Sequence, residues 1–141
     1  MNWSAHASEQ LDAAGYRSGS ARRQVVDLLA GAECALTALE IDSRIESVGR
    51  ASVYRTLDQL EKLQLIQRVE VGGDAAGYER VDAEAHHHHL VCQRCGRLSP
   101  FTSEQLEGAI EAVGERSGFA LSSHDVVLRG TCPACKAADD A

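Results

Sequence analysis

The residues best suited to chemistry in this 141-residue chain are four consecutive histidines that run into a Cys-x-x-Cys pair. The histidines occupy positions 86–89, and Leu90 and Val91 separate them from Cys92 and Cys95. Histidine and cysteine are common ligands of zinc, iron and copper. The internal position argues against a purification tag. A polar strand with titrating histidines and no metal is the simpler alternative, which the adjoining cysteine pair disfavours.

The alternation of a β-strand would divide these histidines into two sets. Successive side chains of a strand point to opposite faces. We therefore expect a strand that enters a tight turn at residues 92–96, with His86 and His88 on one face and His87 and His89 on the other. One short strand could then supply ligand pairs to two metal centres.

Two Cys-x-x-Cys pairs, separated by 36 residues, are typical of a four-cysteine zinc centre. With four thiolate ligands, no coordination position remains for water or substrate, so the predicted site is structural. A redox dithiol is the alternative, although one pair would suffice for it. The pairs comprise Cys92, Cys95, Cys132 and Cys135. The fifth cysteine, Cys34, is interpreted as a small buried residue, with a redox or ligand role as the alternative.

Composition limits the remaining possibilities. Hydrophobic residues make up 44% of the chain, but no apolar run approaches the roughly 20 residues of a membrane helix. The first residues lack the basic and apolar regions of a signal peptide, so we expect a cytosolic protein in which paired cysteines bind metal. The net charge is −7, with −3 in residues 1–80 and −4 in residues 81–141. Any DNA binding must therefore depend on a local basic patch.

The first half of the chain predicts a winged helix. Helices are expected at residues 1–14, at 21–30 after a Ser20 cap, from the Thr37–Glu40 capping box to about 46, and at 50–64. The turn at residues 47–49 would make the last two a helix-turn-helix. Strands at 66–71 and 78–81, joined by a turn at 72–74, would form the wing.

A plain helical hairpin with a solvated polar face is the alternative for residues 37–64. The outward cluster of Tyr54, Arg55 and Thr56 favours DNA contact instead, because arginine can pair bidentately with guanine or phosphate. Ser52 lies on the same side of the helix. Three arginines could contact phosphates alongside: Arg17, Arg22 and Arg23.

The second half predicts a small α/β domain after a linker at residues 82–85. A strand is expected at 98–101, and a helix follows from a Thr102 cap to Ser117 with its apolar side chains inward, namely Leu106, Ile110 and Val113. Gly118 would end that helix, a strand would follow at 124–128, and the last six residues would fray. The predicted fold class is α+β, with domains at residues 1–81 and 86–141.

Two segments resemble the ferric uptake regulator family, which includes iron, zinc, manganese, nickel and peroxide sensors. Residues 49–57, Gly-Arg-Ala-Ser-Val-Tyr-Arg-Thr-Leu, are similar to its recognition-helix motif. Residues 86–96, His-His-His-His-Leu-Val-Cys-Gln-Arg-Cys-Gly, are similar to its central metal motif. The resemblance implies a metal-activated, dimeric DNA-binding regulator, usually a repressor. The implied architecture is an N-terminal winged helix and a C-terminal dimerisation domain.

The resemblance also implies the roles of individual residues. It implies structural zinc at Cys92, Cys95, Cys132 and Cys135. It implies a regulatory metal site at the junction between the domains, with ligands Glu79, His87 and His89. It implies a further site in the dimerisation domain, with ligands His86, His88, Glu107 and His124. It implies DNA contact by Tyr54, Arg55 and Arg17.

One position departs from the family pattern. Many members supply a histidine to the regulatory site from just before the third helix, where this chain has Ala35 beside Cys34. The site could be three-coordinate, could recruit Cys34, or could use another acid. Glu79 stands where peroxide sensors tend to carry aspartate, which disfavours that branch.

The resulting hypothesis is a cytoplasmic repressor, not an enzyme, that binds double-stranded operator DNA as a homodimer. Zinc or ferrous iron in the regulatory site would activate it, and the zinc-sensing branch is one candidate. A peroxide, nickel or manganese sensor of the same family is an alternative. A metal-storage or chaperone protein and a His/Glu metalloenzyme are alternatives from other classes. Neither an organic substrate nor a membrane is expected as a partner.

Overall fold

The computed structural model describes residues 2–72, 75–81 and 86–139. The chain divides into two compact units, Met1–Ala85 and His86–Ala141. The linker expected at residues 82–85, and residues 73 and 74 of the expected turn in the wing, lie outside the described residues. In the described part of the chain, no helix has the length and apolar character needed to cross a membrane.

The N-terminal unit is a helix-turn-helix with a small antiparallel sheet. Its helices are α1 (Trp3–Ala13), α2 (Ser20–Gly31), α3 (Ala38–Arg44) and α4 (Arg50–Lys62). Its strands are β1 (Leu36–Thr37), β2 (Ile66–Gly72) and β3 (Ala75–Arg80), in the order β1-β3-β2. The winged-helix prediction is confirmed, and β1 is an additional strand that was not predicted.

A single apolar cluster holds these helices together. Leu11 of α1, Leu29 of α2, Ile41 of α3 and Leu57 of α4 are each at most 1% exposed. Burying a side chain of this size contributes about 1.5–3 kcal/mol. The spacing of Val53, Leu57, Leu60 and Leu63 predicts one buried face of α4, and this prediction is confirmed: the first three are at most 1% exposed and Leu63 packs against the cluster. The stripe fixes which face of that helix points away from the core.

The capping prediction for α3 is confirmed and that for α2 is wrong. Thr37 Oγ1 accepts a hydrogen bond from the Glu40 amide at 3.2 Å, and Glu40 Oε1 accepts one from the Thr37 amide at 3.2 Å. In α2, Gly19 is the N-cap and Ser20 is the first helical residue. The Ser20 hydroxyl instead accepts a hydrogen bond from Gln24 Nε2 at 2.9 Å.

The turn between α3 and α4 is held by Gln24. Its amide group donates to the Glu46 carbonyl and accepts from the Glu46 amide, both at 3.0 Å. Ser47 then has a φ of 59°, in the left-handed region. α3 ends at Arg44 rather than near residue 46 as predicted, and the two hydrogen bonds tie the segment between α3 and α4 to α2.

The C-terminal unit contains a mixed sheet. Its elements are β4 (His88–Cys92), β5 (Leu98–Phe101), α5 (Glu104–Ser117), β6 (Val127–Gly130) and α6 (Pro133–Asp139). The strand order is β5-β4-β6, with β5 antiparallel and β6 parallel to the central β4. The α/β prediction for this half is confirmed.

Local details in this unit differ from the predictions. The histidine strand begins at His88, so His86 and His87 precede it. Ser103 rather than Thr102 caps α5, because Ser103 Oγ accepts a hydrogen bond from the Leu106 amide at 3.2 Å. Gly118 ends α5 at a φ of 75°, as expected.

Three further predictions for this unit are corrected. Val113 is 52% exposed rather than turned inward. The last strand lies at Val127–Gly130, because it pairs in register with residues 89–92 of β4. The end of the chain was expected to fray, but α6 extends to Asp139, whose carboxylate pairs with Arg94. Pro133 at the first helical position is a favourable start for this helix.

Candidate metal centres and nucleic-acid interface

The four cysteines of the two Cys-x-x-Cys pairs come together in the C-terminal unit. β4 delivers Cys92, and the turn after it delivers Cys95, with the Gly96 amide bonded to the Cys92 carbonyl at 2.9 Å. β6 is parallel to β4, so its end brings the second pair, Cys132 and Cys135, to the same edge of the sheet.

The sulfur separations suit a tetrahedral metal ion. Cys92 Sγ lies 3.8 Å from Cys135 Sγ, and Cys95 Sγ lies 3.8 Å from Cys132 Sγ. All four sulfurs lie within 4.8 Å of one another. A tetrahedron with Zn–S bonds of about 2.3 Å has sulfur–sulfur edges of about 3.8 Å. The cluster therefore has the donor atoms and the size of a structural metal site.

The charges of these thiols also favour a bound cation. Amide groups of Cys95 and Cys132 donate to Cys92 Sγ at 3.5 and 3.3 Å and lower the pKa of that thiol to about 5. The neighbouring Cys132 sulfur raises the pKa of Cys135 to about 12. Because four adjacent thiolates repel one another, full ionisation of the group requires a cation among them.

A second cluster of three histidines and one carboxylate lies in the same unit. Glu107 on α5 is its centre: Glu107 Oε1 lies 2.6 Å from His88 Nε2 and 3.2 Å from His86 Nε2. Glu107 Oε2 lies 2.6 Å from His124 Nε2. His86 Nε2 and His124 Nε2 are 3.2 Å apart. The structure thus brings together the four residues implied for the dimerisation-domain site.

The electrostatics of this cluster also suit a cation. Burial raises the pKa of the Glu107 carboxyl, but hydrogen bonds from His88, His124 and His86 outweigh burial and hold the pKa below its usual range. Glu107 is therefore a carboxylate among three imidazoles. This donor set suits zinc or ferrous iron, and the 3.2 Å nitrogen–nitrogen distance is close to the edge of a tetrahedron with metal–nitrogen bonds of about 2.0 Å.

The remaining predicted ligands are divided between the two units. Glu79 of β3 is 5% exposed, and Gln67 Nε2 of β2 donates a hydrogen bond to its carboxylate at 2.5 Å. His87 and His89 have ring centroids 4.9 Å apart, and this pair belongs to a different group of possible ligands from His86 and His88. The expected division of the histidines into two pairs therefore holds, although only His88 and His89 belong to β4.

The exposed face of α4 presents part of the predicted DNA-contacting set. Tyr54 is 43% exposed, Arg55 is exposed and Ser52 is half-buried. Thr56 is a correction, because it is only 5% exposed and its hydroxyl donates to the Ser52 carbonyl at 3.0 Å. Thr56 therefore belongs to the core side of the helix. Arg17, which precedes α2, is exposed.

Arg22 is also a correction, because it is 7% exposed and cannot reach a phosphate. Its guanidinium pairs with the Asp12 carboxylate at 2.7 Å and donates to the carbonyls of Ser8 at 3.1 Å and Tyr16 at 3.3 Å. The buried arginine thus joins α1 to α2. The adjacent Arg23 is exposed and remains available for DNA.

Replacing Arg22 by alanine is expected to lower the free energy of unfolding by about 2 kcal/mol, because two half-buried carbonyls and the Asp12 carboxylate lose their donor. Arg23→Ala is the matched control and should leave stability within about 0.5 kcal/mol of the wild type. Urea unfolding followed by circular dichroism measures both. Equal stability of the two variants would contradict a structural role for Arg22.

Comparison with known proteins agrees with this arrangement. The model of the ferric uptake regulator family matches residues 13–129. The ferric uptake regulation protein of Legionella pneumophila is 36% identical over 136 residues, covering 92% of this chain and 98% of that protein.

Two solved structures share the fold. The ferric uptake regulator of Vibrio cholerae, described with a rearrangement of its DNA-binding domains, has a TM-score of 0.79 and 27% identity, covering 88% of this chain and 98% of that one. The Helicobacter pylori regulator, described with three functional metal-binding sites, has a TM-score of 0.79 and 28% identity, covering 91% and 87%. Because the family match spans most of the sequence and the Legionella protein is similar over nearly its full length, this chain belongs to the ferric uptake regulator family of metal-responsive transcription regulators.

Proposed function

We propose that this chain is a repressor that binds operator DNA as a dimer when zinc or ferrous iron occupies a regulatory site formed by Glu79, His87 and His89. The observation that carries the proposal is the division of the histidines. His86 and His88 contact Glu107, whereas His87 and His89 form a separate pair whose rings meet edge to face with centroids 4.9 Å apart. That second pair offers two imidazoles to a metal other than the one at Glu107.

The regulatory site would act by joining two parts of the chain. Glu79 lies one residue before the end of β3 in the N-terminal unit, and the two histidines lie near the start of the second unit. A metal that needs both sets of ligands favours the arrangement in which they meet. A 100-fold preference for that arrangement contributes about 2.7 kcal/mol. This switch matters in a protein whose net charge of −7 opposes binding to DNA.

DNA binding is assigned to the exposed side of α4. Tyr54 and Arg55 would contact bases or phosphates in the major groove, with Ser52 beside them. Arg17 would contact the backbone next to them. The core face of α4 is buried, so these side chains are placed by a rigid helix rather than a loop.

The dimer is assigned to the C-terminal unit because this unit exposes many apolar side chains. Phe119 is 72% exposed, Val113 52%, Leu121 50% and Leu128 49%. A cluster of such residues commonly marks a protein–protein interface. A second copy of the chain would also bring two α4 helices to a palindromic operator, whose half-sites lie about one helical turn apart.

The two other centres are assigned to stability. Zinc at the four cysteines would join the ends of β4 and β6, which the 3.8 Å sulfur separations accommodate. An ion at His86, His88, Glu107 and His124 would join α5 to the start of β4. The proposed place of action is the cytoplasm, where operator DNA is found.

The test is operator binding by purified protein, titrated with buffered free zinc and, anaerobically, with ferrous iron. The proposal expects at least a 100-fold rise in affinity with one ion, because the metal favours the DNA-binding arrangement. His87→Ala should reduce this rise to below about 5-fold. The amount of protein bound per operator, measured by native mass spectrometry, should be two chains.

His6→Ala is the control, because His6 lies on α1 outside every histidine cluster described above. It should keep the full metal response. A full response in His87→Ala, or operator binding that ignores both ions, would overturn the regulatory assignment and favour a metal-storage protein.

A further inference from the structure

We propose that Cys34 is the fourth protein ligand of the regulatory metal site and gives it one thiolate. This inference rests on the proposed function, since it completes the set of Glu79, His87 and His89. The site then has sulfur, carboxylate and two imidazoles as donors. The neighbouring Ala35 is 3% exposed and has no donor atom in its side chain.

The short strand β1 places Cys34 next to Glu79. Leu36 of β1 is paired with Tyr78 of β3 in an antiparallel ladder. In such a ladder, the residues before Leu36 run alongside the residues after Tyr78. Continuing that register puts Ala35 opposite Glu79, and Cys34 lies one residue earlier, in a bend. Its sulfur is within 4.8 Å of a Glu79 carboxylate oxygen. Both residues belong to the N-terminal unit, so this pair is formed within one compact body.

The two side chains are placed as ligands rather than as surface groups. Glu79 is 5% exposed, and an acidic side chain is buried to this extent only where hydrogen bonds, an opposite charge or a metal ion hold it. Gln67 donates to its carboxylate at 2.5 Å, which orients the group as an outer hydrogen-bond partner orients a metal ligand. Cys34 is half-buried, so its sulfur is neither part of the core nor fully in solvent.

The thiolate determines which metals the site prefers. Thiolates favour zinc and other borderline or soft ions, whereas carboxylate and water suit magnesium, calcium and manganese. One sulfur, one oxygen and two nitrogens form a set suited to tetrahedral zinc. We therefore infer that the regulatory site prefers zinc to manganese through Cys34.

Cobalt absorption tests the assignment directly. Zinc-loaded protein, with zinc retained at the four cysteines, is titrated with Co²⁺ alone. Sulfur bonded to Co²⁺ gives a charge-transfer band in the near ultraviolet, which the histidine cluster around Glu107 cannot produce. The wild type should show this band, and Cys34→Ser should lose it and bind cobalt at the regulatory site about 10-fold more weakly.

A second variant separates ligand loss from misfolding. Cys34→Ser combined with Ala35→His returns a donor one residue away, so it should recover most of the affinity without the charge-transfer band. A wild type without the band, or a band that persists in Cys34→Ser at unchanged zinc content, would overturn the inference.

Alkylation gives an independent readout of the same sulfur. Iodoacetamide should modify Cys34 in zinc-loaded protein at least about 10-fold more slowly after one further equivalent of zinc is added, since a metal-bound thiolate is masked. The His87→Ala variant tests the proposed metal switch independently of the proposed Cys34 ligand. If His87→Ala retains full metal-dependent operator binding while the Cys34 band is present in the wild type, the switch fails and the Cys34 ligand stands.

Discussion

Replacing Cys132 by serine is expected to abolish the metal at the four-cysteine site and to unfold the C-terminal unit while the N-terminal unit stays folded. Structural zinc contributes on the order of 10 kcal/mol, comparable to the whole stability of a typical domain. The core of this unit cannot replace that contribution. Among its described residues in the single chain, only Val91 and Cys92 are buried hydrophobic side chains.

The N-terminal unit, unlike the C-terminal unit, has an apolar core that can stabilise it without a metal. It contains a fully buried cluster that includes Leu11, Leu29, Ile41, Leu57 and Leu60. A small domain without such a cluster usually depends on a metal, disulfides or a partner. Cys132→Ser should therefore remove structure selectively from β4, β5 and β6.

Zinc content and hydrogen exchange measure this effect. Cys132→Ser should lose at least one zinc per chain, and amides of β4 and β6 should lose their protection, because the metal no longer joins the ends of these strands. Cys34→Ser is the matched control, since it removes a cysteine outside the four-cysteine site and should retain that zinc. Protection of β4 in Cys132→Ser equal to the wild type would contradict a structural role for the metal.

The features that sequence could predict are those defined by local spacing. The two Cys-x-x-Cys pairs constrain their sulfurs to tight turns, whatever the rest of the fold does. The Thr37–Glu40 capping box and the apolar stripe of α4 are likewise set by residues within one or two turns of helix. The predictions of the capping box and of the α4 stripe were correct because neither depends on contacts with residues distant in the sequence.

The incorrect predictions concern residues whose burial depends on contacts with residues distant in the sequence. Arg22 and Arg23 are equally plausible phosphate contacts from sequence, and only the packing of α1 against α2 buries the first. Thr56 was placed on the polar side of α4, although it is buried against its neighbours. The spacing of apolar residues locates the buried face of a helix only approximately. It does not decide whether a residue at the edge of that face, such as Thr56, is buried or exposed.

The last strand and the pair formed by Cys34 and Glu79 show the same limit. The last strand was predicted at residues 124–128 but lies at Val127–Gly130, because pairing with β4 sets its position. β1 has two residues, too few to produce a pattern, yet its pairing with β3 places Cys34 beside Glu79. Sequence identified Cys34 as a possible ligand, but only tertiary pairing supplies the distance.

Replacing Arg55 by alanine is expected to weaken operator binding by roughly 5- to 150-fold at saturating metal, which corresponds to about 1–3 kcal/mol for a lost bidentate contact. Arg55 is exposed on α4, so the substitution removes no buried contact and should not alter folding. Arg55→Lys retains the charge and loses the planar fork, so it should recover only part of the affinity if the contact is bidentate. Tyr54→Ala should act in the same direction, because Tyr54 presents 43% of its surface next to Arg55.

Operator affinity, cobalt binding and chain stoichiometry should be measured on the same preparations. Arg116→Ala is the matched control, because it removes one exposed positive charge from α5 and should change operator affinity less than about 2-fold. In Arg55→Ala, cobalt binding should equal the wild type, since no predicted ligand lies on α4. A metal-storage protein would show the same metal binding in all variants and no loss at Arg55. Loss of DNA binding with intact metal binding is therefore the result that assigns α4 to DNA, whereas equal operator affinity in Arg55→Ala and Arg116→Ala would remove α4 from the interface.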